Sequence, residues 1–446
     1  MVRKLTNVLL WLALTQEMDG LIFGGKWSTP LTPVSTALFK TFAYIVPWDV
    51  LILICLALAY SNAPRRRVPA IATSMKITVA ALFGTWLWGL VNGGSAYQSY
   101  YQLHTFIMGL FTAQLVMLTL RTVKDVESLG RVVALACLYR AFTCDLFYIL
   151  IAQYLPKEEE LAALTDHCDT VLFVAGFFVF IVNAVQRRTS GAILALIGAT
   201  GPIVMAIVVN NRRLAWLAFG VGLVIMFILL PWSKGKKRLI WAMVAMSPLI
   251  GAYVAAGWGN PKGIFKPVGA ISTMFGENQD SSSMMRDIEN YNLLQTLKHN
   301  AIMGYGWGRE YDEQVVAIDI SKIFPQYRYL PHNSLLGVVA FTGMIGFWGL
   351  WQLVAVTVGL HGRVFRAAKH PVLRAAAMAA ILNITVIMLQ MWGDIGFNHQ
   401  MVCVMLALSI GLAARLPLLA ELWPTPKVDA PAPAATPVVH SGAPGF

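Results

Sequence analysis

Between Val204 and Leu230 the chain reads VMAIVVNNRRLAWLAFGVGLVIMFILL. Two apolar runs meet there at Asn210–Asn211–Arg212–Arg213, and neither alternates in polarity. A membrane β-strand would show segments of about ten residues with alternating polarity. Continuous apolar runs of about twenty residues suit helices crossing a hydrocarbon core of about 30 Å. Such runs recur along all 446 residues. Hydrophobic residues make up 57% and charged residues 13%, with a mean hydropathy of +0.63; a soluble globule carries about 25% charged side chains. A cytosolic enzyme, a disordered chain and a disulfide scaffold are excluded. The fold class is an all-α polytopic membrane protein.

Working outward, the apolar runs predict twelve helices, at 5–24, 38–60, 71–92, 102–121, 131–154, 170–187, 190–210, 213–231, 238–257, 333–360, 372–392 and 398–416. The first is the weakest, because Gln16, Glu17 and Asp19 sit near its outer end. Residues 1–423 read as one transmembrane domain. Within it, 258–331 form a long extracytoplasmic cap, and 424–446 form a Pro/Ala-rich cytoplasmic tail too poor in apolar variety to pack. Lys and Arg in short loops mark the cytoplasmic side. Arg3/Lys4, Arg65–Arg67, Arg121/Lys124/Arg131, Arg187/Arg188, Lys234–Arg238 and Arg363–Arg374 all fall there, with both termini. Asn92–Gln98 and Glu158–Glu160 face outward. The net charge of +12 is thus a topology signal and not a nucleic-acid footprint. The five cysteines are scattered as small packing residues, with no metal spacing. No cleavable signal peptide and no internal repeat are evident.

The cap carries seven Lys/Arg against eight Asp/Glu. Its stretch Met284, Met285, Ile288, Tyr291, Leu294, Leu297 has the spacing of an amphipathic helix lying on the membrane or on the bundle.

Some residues break the rules of a plain bundle. Arg212 and Arg213 lie at the outer end of their spans, where charge is costly and tends to be paired or functional. They also open a helix, whose free N–H groups favour an anion. They read as a diphosphate clamp built on the guanidinium fork, or else as a pair snorkelling to lipid headgroups. His332, in Pro331–His332–Asn333–Ser334 at the start of the tenth span, suits a general base; alternatively Asn333 or Ser334 caps the helix and His332 stands by. Arg286, Arg309 and Arg328 could close over an anionic ligand or remain solvated. Asp394 could orient His332 or pair with an arginine. Gly304–Tyr305–Gly306–Trp307–Gly308 gives a tight turn but no phosphate loop, and its aromatics suit either sugar stacking or an interface belt. The remaining histidines, His167 and His399 among them, read as isolated, with no ligand cluster. No Asp-x-Asp or other metal motif is present, so charge on a leaving group falls to the arginines, and metal-independent, cofactor-free chemistry is expected.

Asn211–Arg212–Arg213–Leu214–Ala215–Trp216, Arg286, Ile302–Met303–Gly304–Tyr305–Gly306–Trp307–Gly308, and His332–Asn333–Ser334–Leu335–Leu336 with Gly343–Met344–Ile345–Gly346 follow in an order that resembles the bacterial O-antigen ligase and polymerase superfamily. The likeness covers about residues 205–350. It implies a multi-pass inner-membrane glycosyltransferase in lipopolysaccharide or exopolysaccharide biosynthesis, active at the periplasmic face. The implied donor is an undecaprenyl-diphosphate-linked glycan. The acceptor is lipid A–core in a ligase or another lipid-linked repeat in a polymerase, beside other polysaccharide assembly proteins. The resemblance carries the diphosphate-binding role onto Arg212 or Arg213 and onto Arg286, and the acceptor-activating role onto His332. Asn333, Arg309, Arg328 and Asp394 are supporting candidates. The competing classes are a carrier or flippase that binds the same anion without chemistry, and a scaffold with the cap as docking surface. Lack of repeats and of broken helices weighs against the carrier.

Overall fold

The computed structural model describes residues 1–17, 23–41, 45–61, 68–156, 161, 163–260, 265, 268–269, 272, 281–316, 322 and 325–423. Asp19, Arg65–Arg67, Glu158–Glu160, Lys262, Lys266 and the tail from Pro424 lie outside them. No strand element occurs among the described residues. The helices are α1 (Val2–Leu14), α2 (Thr32–Phe39), α3 (Pro47–Tyr60), α4 (Pro69–Val91), α5 (Ala96–Thr119), α6 (Val123–Leu150), α7 (Asp169–Arg187), α8 (Ser190–Val209), α9 (Arg213–Leu229), α10 (Lys234–Gly257), α11 (Ser281–His299), α12 (Ser334–Ala367), α13 (Pro371–Gly393) and α14 (Gln400–Leu419).

Local chemistry sets their starts. Pro47, Pro69 and Pro371 open α3, α4 and α13, where the missing N–H costs nothing. Thr122 and Asp125 form a reciprocal capping box on α6. Among the described helices nine are long and apolar enough to cross a membrane: α4 to α8, α10 and α12 to α14, with α9 excepted. The expected span at 5–24 stops as a helix at Leu14, and the one at 38–60 starts only at Pro47. α3 and α9, of 14 and 17 residues, are shorter apolar helices and α1 has 13 residues, so helix length does not establish a count of twelve spans.

Packing places α5 against α14, α13 against α7 and α12, and α12 against α4. α10 instead turns Trp241, Val244 and Leu249 outward, the pattern of a helix wrapped in lipid. At one end of the bundle Arg3 Nη2 donates to Asp125 O at 2.9 Å, Arg187 pairs with Glu127 at 3.3 Å, and Arg415 Nε donates to Leu120 O at 2.8 Å. Arg3 and Arg187, from two of the expected basic clusters, therefore both meet the start of α6 at this end. α11 packs on α12 at the other end.

α12, expected as one continuous helix over 333–360, is broken. Gly343 sits at φ 58°, ψ −158°, and the turn 300–308 docks into the break. Tyr305 and Gly306 donate to the Ala340 and Phe341 carbonyls at 2.9 and 2.8 Å, and Met344 and Ile345 donate to Ala301 and Ile302 at 2.9 and 3.1 Å. A Cβ on Gly304 would stand 2.4 Å from Gly343 N, so only glycines allow this approach. Non-helical backbone at such depth is tolerated because protein groups, not lipid, satisfy it. A broken helix, the feature expected of a carrier, is therefore present, although this break is filled by the chain's own backbone.

Candidate functional site

The amphipathic helix expected in the cap exists as α11, but its orientation is the reverse of a simple apolar docking face. Glu289, Asn292, Leu293 and Thr296 are buried, at i, i+3, i+4 and i+7, whereas Met284, Tyr291 and Leu294 are exposed. The polar face is held by hydrogen bonds. Asn292 Oδ1 accepts from the backbone of Gln314 and Val315 at 3.0 and 2.9 Å, and Thr296 Oγ1 accepts from Asp312 N at 2.8 Å. The exposed stripe is the one suited to a lipid interface.

This face carries the site. Glu289, 6% exposed, receives the His332 backbone N–H on Oε2 at 3.0 Å, and the ring Nδ1 hydrogen-bonds its Oε1 at 3.5 Å. The His332 side chain is one-third exposed, so its other ring nitrogen, Nε2, is the one left for chemistry. Burial works against charge on the imidazole, but the Glu289 hydrogen bond and charge, with Asp394, outweigh it and raise the His332 pKa above 6.5. Asn333 caps α12 by accepting from Leu336 N at 3.0 Å and donates to Asn290 Oδ1 at 3.0 Å.

One turn before Glu289, Arg286 reaches Asp394 Oδ2 at 3.4 Å. Asp394 ends α13, and two residues on, Gly396 N donates to Ser334 Oγ at 3.0 Å, which joins the end of α13 to the start of α12. Asp394 therefore takes the second of its two anticipated partners, an arginine. The carboxylate on the histidine is Glu289, which sequence reasoning missed. Its offset of three residues from Arg286 on one helix is the signal that would have found it.

Arg212 N-caps α9 and Arg213 is its first residue. Asn210, buried, accepts from Leu164 N and Thr165 N at 3.1 and 2.9 Å, and Asn211 takes the left-handed conformation at φ 53°. This turn aims Arg212 Nη2 at Thr165 O, 3.4 Å away, while its buried Nε has no hydrogen-bond partner among the described residues. Leu214 lies against Gly393, so the start of α9 abuts the end of α13, beside Asp394.

His167 and His399, read as isolated, are brought together here. Asp166 contacts both, at 3.6 Å from His167 Nδ1 and 3.2 Å from His399 Nε2, and His167 Nε2 lies 3.2 Å from Ile395 O and 4.0 Å from Asp394. Burial opposes both charges, yet their mutual attraction lowers the Asp166 pKa and raises that of His399. The donor atoms of Asp166, His167 and Cys168 lie within 4.8 Å of one another, the spacing a metal ion would need. Those atoms already serve internal bonds: Asp166 accepts from Cys168 N at 2.8 Å, and Cys168 Sγ lies 3.2 Å from Ile395 O. The distance in sequence between His167 and His399 hid this cluster, since two loops build it, one before α7 and one before α14.

Two other candidates are engaged within the cap. Arg309 stacks over the Tyr305 ring at 3.7 Å and donates to Tyr305 O, while Arg328 pairs with Glu310 at 2.7 Å and donates to Tyr311 O. Trp307 is buried, with Nε1 donating to Thr85 Oγ1 at 3.1 Å; of the two readings of this aromatic turn, neither sugar stacking nor an interface belt describes Trp307.

The arrangement defines a class: a polytopic helical membrane protein whose capped end joins an arginine–carboxylate pair and a carboxylate-bonded histidine at the junction of three helices. Residues 198–351 match the family model described as O-antigen ligase, a likeness to the O-antigen ligase/polymerase superfamily over that part of the chain. The match spans Arg212, Arg213, Arg286 and His332 but stops short of Asp394 and His399. No curated protein matches the chain significantly.

Proposed function

We infer that the chain is an inner-membrane glycosyltransferase moving an undecaprenyl-diphosphate-linked glycan onto an acceptor hydroxyl at its capped, periplasmic end. The observation carrying this reading is the junction of Arg286, Asp394 and His332 at the bundle end, with Arg286 and His332 inside the family match. The donor tail lies in lipid, with its headgroup at the outer boundary. Arg286, with Arg212 or Arg213, neutralises charge on the departing diphosphate, and the Asp394 carboxylate holds Arg286 in place until the donor competes for it. His332 Nε2 takes the acceptor proton as the hydroxyl oxygen bonds to the anomeric carbon. The bond from that carbon to the diphosphate breaks with its electron pair on the diphosphate, inverting the centre. Basic loops at the opposite end support cytoplasmic termini.

The test uses purified protein in lipid with an undecaprenyl-diphosphate oligosaccharide, with lipid A–core added or omitted and EDTA throughout. Transfer to lipid A–core alone identifies a ligase; a ladder without it identifies a polymerase. His332→Ala is expected to bind donor and transfer nothing. Specific donor binding without product from the wild-type protein would establish the carrier reading instead.

A further inference from the structure

We propose that Glu289 is a positioning residue that holds His332 in the one tautomer and orientation able to accept the acceptor proton. This rests on the base role of His332 argued above. Glu289 is buried on the packed face of α11, and its carboxylate meets His332 with both oxygens, Oε2 taking the backbone N–H at 3.0 Å and Oε1 the ring Nδ1 at 3.5 Å. An ionised carboxylate only accepts hydrogen bonds. Nδ1 must therefore carry its proton toward Glu289, which leaves the lone pair on Nε2. The backbone bond fixes the segment as well as the ring, since it tethers the residue two places before α12 begins. Arg286 lies on the same helix one turn earlier, so α11 sets the anion clamp and the base in one rigid piece.

The charged groups facing His332, among the described residues, are Glu289 and Arg286 from α11 and Asp394 from the end of α13. Glu289 is the one bonded to it. As the acceptor O–H proton passes to Nε2, the imidazolium formed stays paired with Glu289. The hydroxyl oxygen bonds to the anomeric carbon, and the electron pair of the broken bond leaves on the diphosphate. In Glu289→Gln the side chain has one acceptor for two donors. Where its oxygen keeps the backbone N–H, its NH2 meets Nδ1 and stabilises the Nε2–H tautomer, which cannot act as base.

The experiment compares wild type, His332→Ala, Glu289→Gln and Glu289→Asp as full chains in lipid nanodiscs. It reads kcat, donor KM and the pH profile, together with deuterium exchange at the His332 imidazole carbon, which titrates that histidine without reference to activity. Expected are a fall in kcat of about 10²-fold or more for Glu289→Gln with donor KM little changed, a shift of its acid limb and of the His332 titration to lower pH, and partial recovery in Glu289→Asp. In the wild-type protein His332 is expected to titrate above the ordinary imidazole value. The inference is overturned if Glu289→Gln keeps the wild-type rate and profile while His332→Ala is inactive, or if wild-type His332 titrates at or below that value. Full transfer by His332→Ala would instead remove the base role itself.

Discussion

His332 illustrates how much a single contact changes the meaning of a residue. In the sequence it is a histidine before an apolar run; in the structure it is bonded to a buried carboxylate that raises its pKa above 6.5. The sign of the consequence differs for activity and stability. A base must be neutral, so transfer should fall as pH drops through the raised value, and a pH–rate profile should place its acid limb above 6.5. The charged imidazole paired with Glu289 stabilises the fold; that contribution is complete below 6.5 and is lost as pH rises through the raised pKa. Melting curves of the cap across that window should therefore move opposite to activity. Arg286 belongs to the same scale. Arg286→Ala should lower kcat/KM by about 10²–10³-fold in the transfer assay, with Asp394 left without its arginine.

Elements show where periodicity informs and where it misleads. The spacing of apolar residues located α11, yet the buried side of that helix is Glu289, Asn292 and Thr296, because neighbouring backbone groups at 312–315 and 332 need partners. α12 was legible as an apolar run, while its break at Gly343 was not: a glycine in such a run reads equally as a helix residue. The break exists because the turn 300–308 supplies the hydrogen bonds that the helix gives up. Gly343→Ala would force a side chain into the left-handed region with its Cβ 2.4 Å from Ile302 O. A destabilisation of about 3 kcal/mol or more follows, readable as a lower melting temperature in detergent and as proteolysis near 300–308.

Across the whole molecule, buried ion pairs tie the helix ends together. Arg140 on α6 meets Glu17 beyond α1, at 3.2 Å, and Asp169 at the start of α7, all almost fully enclosed. Glu17 is the residue that made the first span look weak; here it is the partner of a buried arginine 123 positions away. Removing one member leaves uncompensated charge, so Arg140→Ala should cost about 3–5 kcal/mol and lower the melting temperature of the whole bundle, not of the cap alone. Asp169 follows Asp166, His167 and Cys168 in sequence, so the same segment joins this pair to the site.

Sequence alone determined that the chain is a helical membrane protein, since no other fold hides so many continuous apolar runs from water. It also pointed to the region from Arg212 to His332, because charge and histidine at the ends of such runs are costly and local in sequence. Tertiary structure decided which groups meet. Glu289 on His332, Asp394 on Arg286, and His167 with His399 around Asp166 join residues from separate loops and helix ends. Apolar patterning reports how each helix faces its surroundings, one element at a time. Hydrogen bonds between elements depend on the relative placement of their ends, and no local pattern records that.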